Sequence, residues 1–495
     1  MPRALALRPS LDLIFRLFCL GQLFVCIRPF IFEGAALHYA SGGFEGALLN
    51  LISTAPPSSW AVYALCAAVL VVGPRTALLV GLAGAHVLDV SLAAASNSLT
   101  TGYAEKGFLV FVCLGAALLS VTDKGSVDER SDRMRSLLRA LAGVAFAMIA
   151  LNKFNADFLD PITSCAGSLN GELARRITFA APLAGLLDSS PWISFLTEAI
   201  ILPLLLIRPR IGVLYVWGFF TGVALVGPRG TCLVFMVMSL CFLPPQDFRL
   251  LQKLDRRAAW VVLGIAGLSA LFWVLVLNEA GRVNFAQLFS RVVFLSLSMG
   301  AMILLAWNVV VGEAVETTYR SAFRNVARPA RIAAWTALVL FGINELAPHV
   351  GLKSKYSLTM WSNLRSDGGR TNSYVFPEAM RVFPYADRSF LEVSRVVVPR
   401  GVPAGDAQPG AKTNPLLVPE PFMAIHASAQ YRLRELEYAH GAIEFEIVEA
   451  DGVRSFDTAR EGSAFAQFVA AEKPTVDFFD PRLMTLDTPQ HCLGP

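Results

Sequence analysis

Apolar stretches broken by short polar ones fill the chain from about residue 10 to residue 346. A helix that crosses a bilayer needs about 17–25 mostly apolar residues. Stretches that meet this rule, allowing shorter ones where the window is interrupted, start near Leu11, Trp60, Ala77, Gly107, Ser136, Trp192, Ile211, Gly230, Ala258, Arg291 and Ile332. The last ends near Leu346, and those near Trp60 and Gly230 are short enough to be re-entrant. From residue 348 the pattern changes to polar sequence with Pro/Gly-rich pieces such as 399–406. Runs at 392–398, 422–427 and 443–448 read as strands, and 450–452 reads as a hairpin turn leading into 453–456, because Asp-Gly supplies positive φ. The expected fold class is therefore mainly α: a polytopic transmembrane helical bundle over 1–347, then a small β-rich extracytoplasmic domain over 348–495.

Composition agrees with a membrane protein. The 495 residues are 55% hydrophobic and 16% charged, with a mean hydropathy of +0.53, whereas soluble domains carry about 25% charged residues. The first apolar stretch is not followed by a small-residue cleavage site, so it is expected to remain as the first helix.

Lysine and arginine favour the cytoplasmic side of membrane proteins. With the N-terminus inside, the inner segments hold far more of them than the outer loops between spans, including Arg75, Lys124, Arg130, Arg133, Arg135, Arg208, Arg210 and the basic residues of 249–257 and 320–331. The outer loops hold only Lys106, Arg175, Arg176, Arg229, Arg282 and Arg291. The expected location is a bacterial plasma (inner) membrane, with the N-terminus cytoplasmic and the C-terminal domain outside. A net charge of +4 sorted by membrane side does not suggest a nucleic-acid partner.

This orientation puts Lys153 at the outer end of an apolar helix. An ionisable residue there is costly, and function is the default hypothesis; the plainer alternative is a lysine that snorkels to the headgroups. His86 and Asp89 share a helix face, either as a proton relay or as a packing hydrogen bond. Glu198 and Glu345 are further acids within apolar spans and are compatible with a transporter. The chain has no P-loop, no HExxH, no Rossmann fingerprint and no CxxC, and its histidines lack metal-ligand spacing, so no metal is expected. Of the eight cysteines, only Cys165 and Cys492 fall clearly on the outer side. An oxidising compartment allows them to pair, though sequence does not set their separation.

Two segments carry a family resemblance. Leu151-Asn-Lys-Phe-Asn-Ala-Asp-Phe-Leu159 resembles a block at the outer end of a helix in the HTTM family, the membrane region shared by vitamin K-dependent gamma-carboxylase and bacterial relatives. The segment 351–372, with Met360-Trp-Ser-Asn-Leu-Arg365 inside it, is similar to a second HTTM block. The likeness covers roughly residues 10–375. It implies that Lys153 is the weak base that deprotonates a reduced quinone, whose oxygenation then drives removal of a glutamate γ-proton and uptake of CO2. Desolvation favours the neutral amine, the form that acts as a base. Asn152 and Asn155 are near enough in sequence to hydrogen-bond that amine, and the resemblance also implies that Met360 and Asn363 lie on the quinone-pocket segment. Arg365 either orients an intermediate or carboxylate, or forms a salt bridge to Asp367 or Glu378. The chain departs from the carboxylase in three ways. The stretch 121–126, where the carboxylase has an Asn-His pair, has no histidine; Asn363 stands in place of a histidine; and the tail is short. Three functional classes therefore remain: a quinol-dependent membrane enzyme, a non-catalytic maturation partner for an exported peptide, and a small-molecule transporter.

Overall fold

The computed structural model describes residues 103–161, 164–176, 191–226, 229–248, 285–311, 326–350, 371–380, 390–397, 422–425, 443–449 and 452–457. It also describes single residues or short pieces within 11–17 and 264–273 and at 358, 364, 382, 433 and 484–485. The spans expected near Trp60 and Ala77, together with His86 and Asp89, lie outside the described residues.

The described part is mainly helical, with a small antiparallel sheet. Its helices are α1 Tyr103–Thr122, α2 Val127–Lys153, α3 Ala156–Leu159, α4 Cys165–Arg176, α5 Pro191–Ala199, α6 Ile201–Ile207, α7 Pro209–Val226, α8 Arg229–Ser239, α9 Phe285–Val311 and α10 Arg328–Leu346. Among the described residues two stretches are long and apolar enough to cross a membrane, α2 and the part of α9 from Val292–Val310. Shorter apolar helical stretches occupy Phe108–Thr122, Pro191–Ile207, Pro209–Leu225 and Thr231–Phe242.

Helix α2 is the centre of the bundle and touches α1, α5, α6, α8 and α10. It starts at Val127, nine residues before the expected Ser136, because Ser126 and Glu129 form a capping box. Ser126 N–H donates to Glu129 Oε2 at 2.9 Å, and Glu129 N–H donates to Ser126 Oγ at 3.4 Å. Two of the orphan amides at the helix start are thereby satisfied. Arg130, Arg133 and Arg135, expected in an inner loop, therefore stand on the helix itself.

Two arginines at the polar end of α2 are met inside the protein. Arg133 makes a two-pronged contact with Asp123, Nε to Oδ2 at 2.6 Å and Nη2 to Oδ1 at 2.8 Å. Arg135 Nη1 donates to Leu243 O at 2.7 Å. Nearby, Arg210 grips Asp247 with contacts of 2.9 and 2.7 Å. The interior is apolar and aromatic: the Phe235 ring meets Phe108, Phe146 and Phe220 at centroid separations of 5.6, 5.7 and 5.5 Å. Small residues let α1 and α10 approach closely, with Gly115 facing Ala337.

The expected short span near Gly230 is α8 followed by a 3₁₀ turn, Leu240–Phe242. The Met236 carbonyl there accepts from both Trp217 Nε1 (2.9 Å) and Ser239 Oγ (2.6 Å). These are contacts that compete with a regular helical acceptor role. Helices α3 and α4 occupy a stretch expected as an outer loop.

The tail forms strands β1 Phe390–Val397, β2 Phe422–Ile425, β3 Glu444–Glu449, β4 Gly452–Asp457 and β5 Met484–Thr485, in the order β4-β3-β1-β2-β5. Every pair is antiparallel. Ile443, Phe445 and Ile447 are buried while Glu444 is exposed, the period of two of a one-sided sheet. Phe445 stacks on its register partner Phe456 at 4.9 Å. Glu449 pairs with Gly452, so Gly452, expected in the turn, opens β4 instead.

Gly212 marks the tightest helix approach. A Cβ there would lie 2.6 Å from Leu205 N and 2.7 Å from Leu204 C, whereas one on Gly222 would meet nothing within 4 Å. Gly212→Ala is expected to cost about 1–3 kcal/mol through backbone displacement. Gly222→Ala, which only improves helix propensity, is expected to be neutral or stabilising. Thermal unfolding of the two purified variants checks the contrast.

Candidate functional site

At the other end of α2 the helix stops at Lys153, and Asn155 stitches the break. Asn155 Nδ2 donates to Asn152 O at 2.8 Å, and its Oδ1 accepts from Phe158 N–H at 2.8 Å as the N-cap of α3. One side-chain amide thus serves the last carbonyls of α2 and the first amides of α3. A distant segment docks on the same break. Ala156 N–H donates to Asn372 O at 3.0 Å, and Tyr374 N–H donates to Phe154 O at 3.3 Å. Asn155 and Ser373 form an isolated antiparallel bridge. Asn372 Nδ2 adds contacts to Asp157 Oδ2 (2.7 Å) and Asn155 Oδ1 (3.3 Å).

Lys153 is 8% exposed, and its Nζ forms a salt bridge to Glu198 Oε1 on α5. Both side chains are close to nine-tenths buried. Nζ also lies 5.5 Å from the Phe158 ring centroid, within cation–π range. The Glu198 Oε2 atom is buried and has no hydrogen-bond partner among the described residues. A buried ion pair is weak evidence for stability, but losing one partner strands the other charge. Phe154 packs beside the pair against Phe195 and Tyr374, both at 5.3 Å.

Asn152 faces a second group. Its Nδ2 donates to Leu358 O at 2.7 Å, so its Oδ1 faces His349 Nε2 at 2.8 Å. That contact needs the proton on Nε2 and leaves Nδ1 as a bare acceptor. Nδ1 is buried without a hydrogen-bond partner among the described residues. The ring stacks on Phe376 at 3.8 Å. His349 sits in the turn after α10, only 2% exposed, and burial pushes its pKa down to about 4.

Glu345 is fully buried and accepts from Asn344 Nδ2 (2.8 Å) and Leu358 N–H (2.7 Å). Both backbone groups of Leu358 are thereby tied to this region, two residues before Met360.

The structure therefore gathers Lys153, Asn152 and Asn155 at one helix end and adds three residues for which sequence offered no such role. Glu198 was read as an intramembrane acid compatible with a transporter. His349 was read only as a histidine without metal spacing. Asn372 lies at the end of the second family block. The available signal was a polar cluster, Asn344, Glu345 and His349, closing an apolar helix, the same signal that singles out Lys153. Asn152 and Asn155 turn to the backbone and His349; neither is seen on the lysine amine. Met360, Asn363 and Arg365 lie outside the described residues. Cys165 is fully buried and disulfide-bonded; Cys492 lies outside the described residues, and its pairing with Cys165 stays a proposal. The stretch 121–126 borders the opposite end of α2, about 40 Å from Lys153 at 1.5 Å per residue over 27 residues. Among the described residues no group of His, Cys, Asp or Glu is arranged to hold a metal ion.

Set against known protein families, curated proteins and solved structures, the chain matches none.

The depressed pKa of His349 makes stability fall in acid. The unfolded imidazole takes its proton near pH 6.5 and the folded one only near pH 4. The unfolded state therefore binds more protons between those values. Stability from this group is complete above pH 6.5, declines as pH falls toward 4 and levels off below. His349→Gln keeps a donor for Asn152 but cannot titrate, so its unfolding midpoint is expected to vary less across that window. Melting curves of both proteins over the same pH series check this.

Proposed function

We propose that the chain is a polytopic membrane protein of the HTTM type, seated in a bacterial plasma membrane. In this reading Lys153 is a base at the outer face and removes a proton from a hydroxyl of a reduced quinone. The observation that carries it is the buried amine of Lys153, held against Glu198 at the far end of an apolar helix.

Several features support the membrane setting. At about 40 Å, α2 exceeds the roughly 30 Å hydrocarbon core of a bilayer. Large apolar side chains face outward on several helices, among them Leu196, Leu297, Val310, Ile332, Val339 and Ile343. Such surface is costly in water and ordinary in lipid. The arginines Arg133, Arg135 and Arg210 gather at the end of the bundle away from Lys153, as the charge asymmetry of an inner face requires. The disulfide at Cys165 suits an oxidising compartment on the Lys153 side.

The residues present suit a reduced quinone. Phe154, Phe158 and Phe376 offer aromatic surface in contact with Lys153 or its neighbours. Glu198 Oε2 and His349 Nδ1 are buried acceptors awaiting a donor. A hydroxylated ring supplies both apolar area and O–H donors. When bound, such a group would supply the hydroxyl whose deprotonation opens its reaction with oxygen. Lys153 receives that proton, Phe158 flanks the ammonium, and Asn155 with the segment 371–376 holds the helix end closed over it. The acceptor of the chemistry is proposed as an exported peptide or protein.

The test is quinol- and oxygen-dependent incorporation of labelled CO2 into peptides by the purified protein. Wild type is expected to incorporate label and Lys153→Ala to lose at least about a hundredfold, the usual weight of a general base. Because Lys153→Ala strands Glu198, Lys153→Met/Glu198→Gln serves as the folded, uncharged control. Normal turnover in Lys153→Ala would overturn the base assignment. No incorporation by wild type would overturn carboxylation.

A further inference from the structure

We infer that Glu198 is the proton partner of Lys153: the carboxylate receives the proton that the ammonium must lose, so the pair carries one mobile proton. This rests on the reading of Lys153 as a base.

A lysine that is to accept a proton must first be neutral. Its resting proton needs a taker, and bulk water is largely excluded from a side chain about one-tenth exposed. The taker in contact is Glu198 Oε1. In the transfer one Nζ–H bond breaks and one Oε1–H bond forms. The electron pair stays on Nζ as the lone pair that takes the next proton. The ion pair and the neutral pair have the same net charge, so the step avoids the cost of an isolated buried ion. The local sequence supports a dedicated role. Glu198 is the one ionisable side chain in the stretch 191–207, otherwise Pro, Trp, Ile, Ser, Phe, Leu, Thr and Ala. It lies near the end of α5, where it caps no helix start. The neighbouring Tyr215 hydroxyl is committed to Thr197 O at 2.8 Å and leaves the carboxylate to the lysine. Glu198 Oε2, buried and without a hydrogen-bond partner among the described residues, is the second oxygen through which the proton can pass on.

The experiment reads the carboxyl proton directly and needs no turnover. Infrared spectra of the full chain, purified in detergent at neutral pH, are compared for wild type, Lys153→Met and Lys153→Met/Glu198→Gln. Helix content by circular dichroism confirms folding, and Lys153→Leu stands in if Lys153→Met does not fold. The expected result is a protonated-carboxyl band that appears in Lys153→Met, shifts in heavy water and vanishes in the double variant. A Lys153→Met protein without that band, or a band that survives Glu198→Gln, would overturn the proposal. The two readings fail separately. Turnover that survives Lys153→Met removes the base and leaves the shared proton; a missing band with turnover lost does the reverse.

Discussion

The buried polar groups at the two ends of α2 have to find partners inside the protein, because the helix between those ends is apolar and central to the bundle. At one end two buried arginines are met inside the protein, while Arg130 Nε is buried without a hydrogen-bond partner among the described residues. Arg133 and Asp123 meet through two contacts, and Arg135 spends its charge on the Leu243 carbonyl. At the other end the solution is incomplete. Lys153 has Glu198, but Glu198 Oε2 and His349 Nδ1 are buried without a hydrogen-bond partner among the described residues. Buried polar atoms without partners are rare in native proteins and invite an explanation.

The backbone at the Lys153 end is held by contacts from three directions. Asn155 satisfies groups on two helices, and the 371–376 segment adds main-chain contacts on each side of it. A lysine side chain is long and mobile, so fixing its backbone and burying its stem is what converts it from a snorkelling cation into a positioned one. Glu345 works in the same sense one layer back, fixing the Leu358 backbone whose carbonyl orients Asn152 and, through it, His349.

Much of this was readable from residue order, and the unreadable part has physical causes. Helices α1, α7, α9 and α10 appear where the apolar windows put them, because length and hydrophobicity are local properties. The start of α2 was placed late because a hydropathy window sees Arg130, Arg133 and Arg135 as loop, although Ser126 and Glu129 already spelled a capping box. Lys153 stood out because a charge closing an apolar helix is conspicuous. Its partner Glu198 lies 45 residues away on another helix, and whether two helices turn those faces together depends on packing that no window reads. His349 carried no spacing signal at all, since its role comes from one amide 197 positions earlier. Gly452, read as part of a turn, pairs with Glu449 as the first residue of β4, because an Asp-Gly step marks a turn more surely than it sets the register.

The contacts that complete the Lys153 end span almost the whole helical region in sequence. Asn152 waits for His349 and Leu358, and Asn155 waits for Asn372, 197, 206 and 217 residues later. During synthesis, helices such as α2 and α7 are therefore made long before the groups that close the break after Lys153 exist. Contacts of such separation form late and at high entropic cost. A nascent chain ended before residue 349 would hold much of the helical scaffold and the ionisable pair, yet lack the histidine and the docking strand. The site is thus a record of completion, present only once nearly three-quarters of the chain has been made.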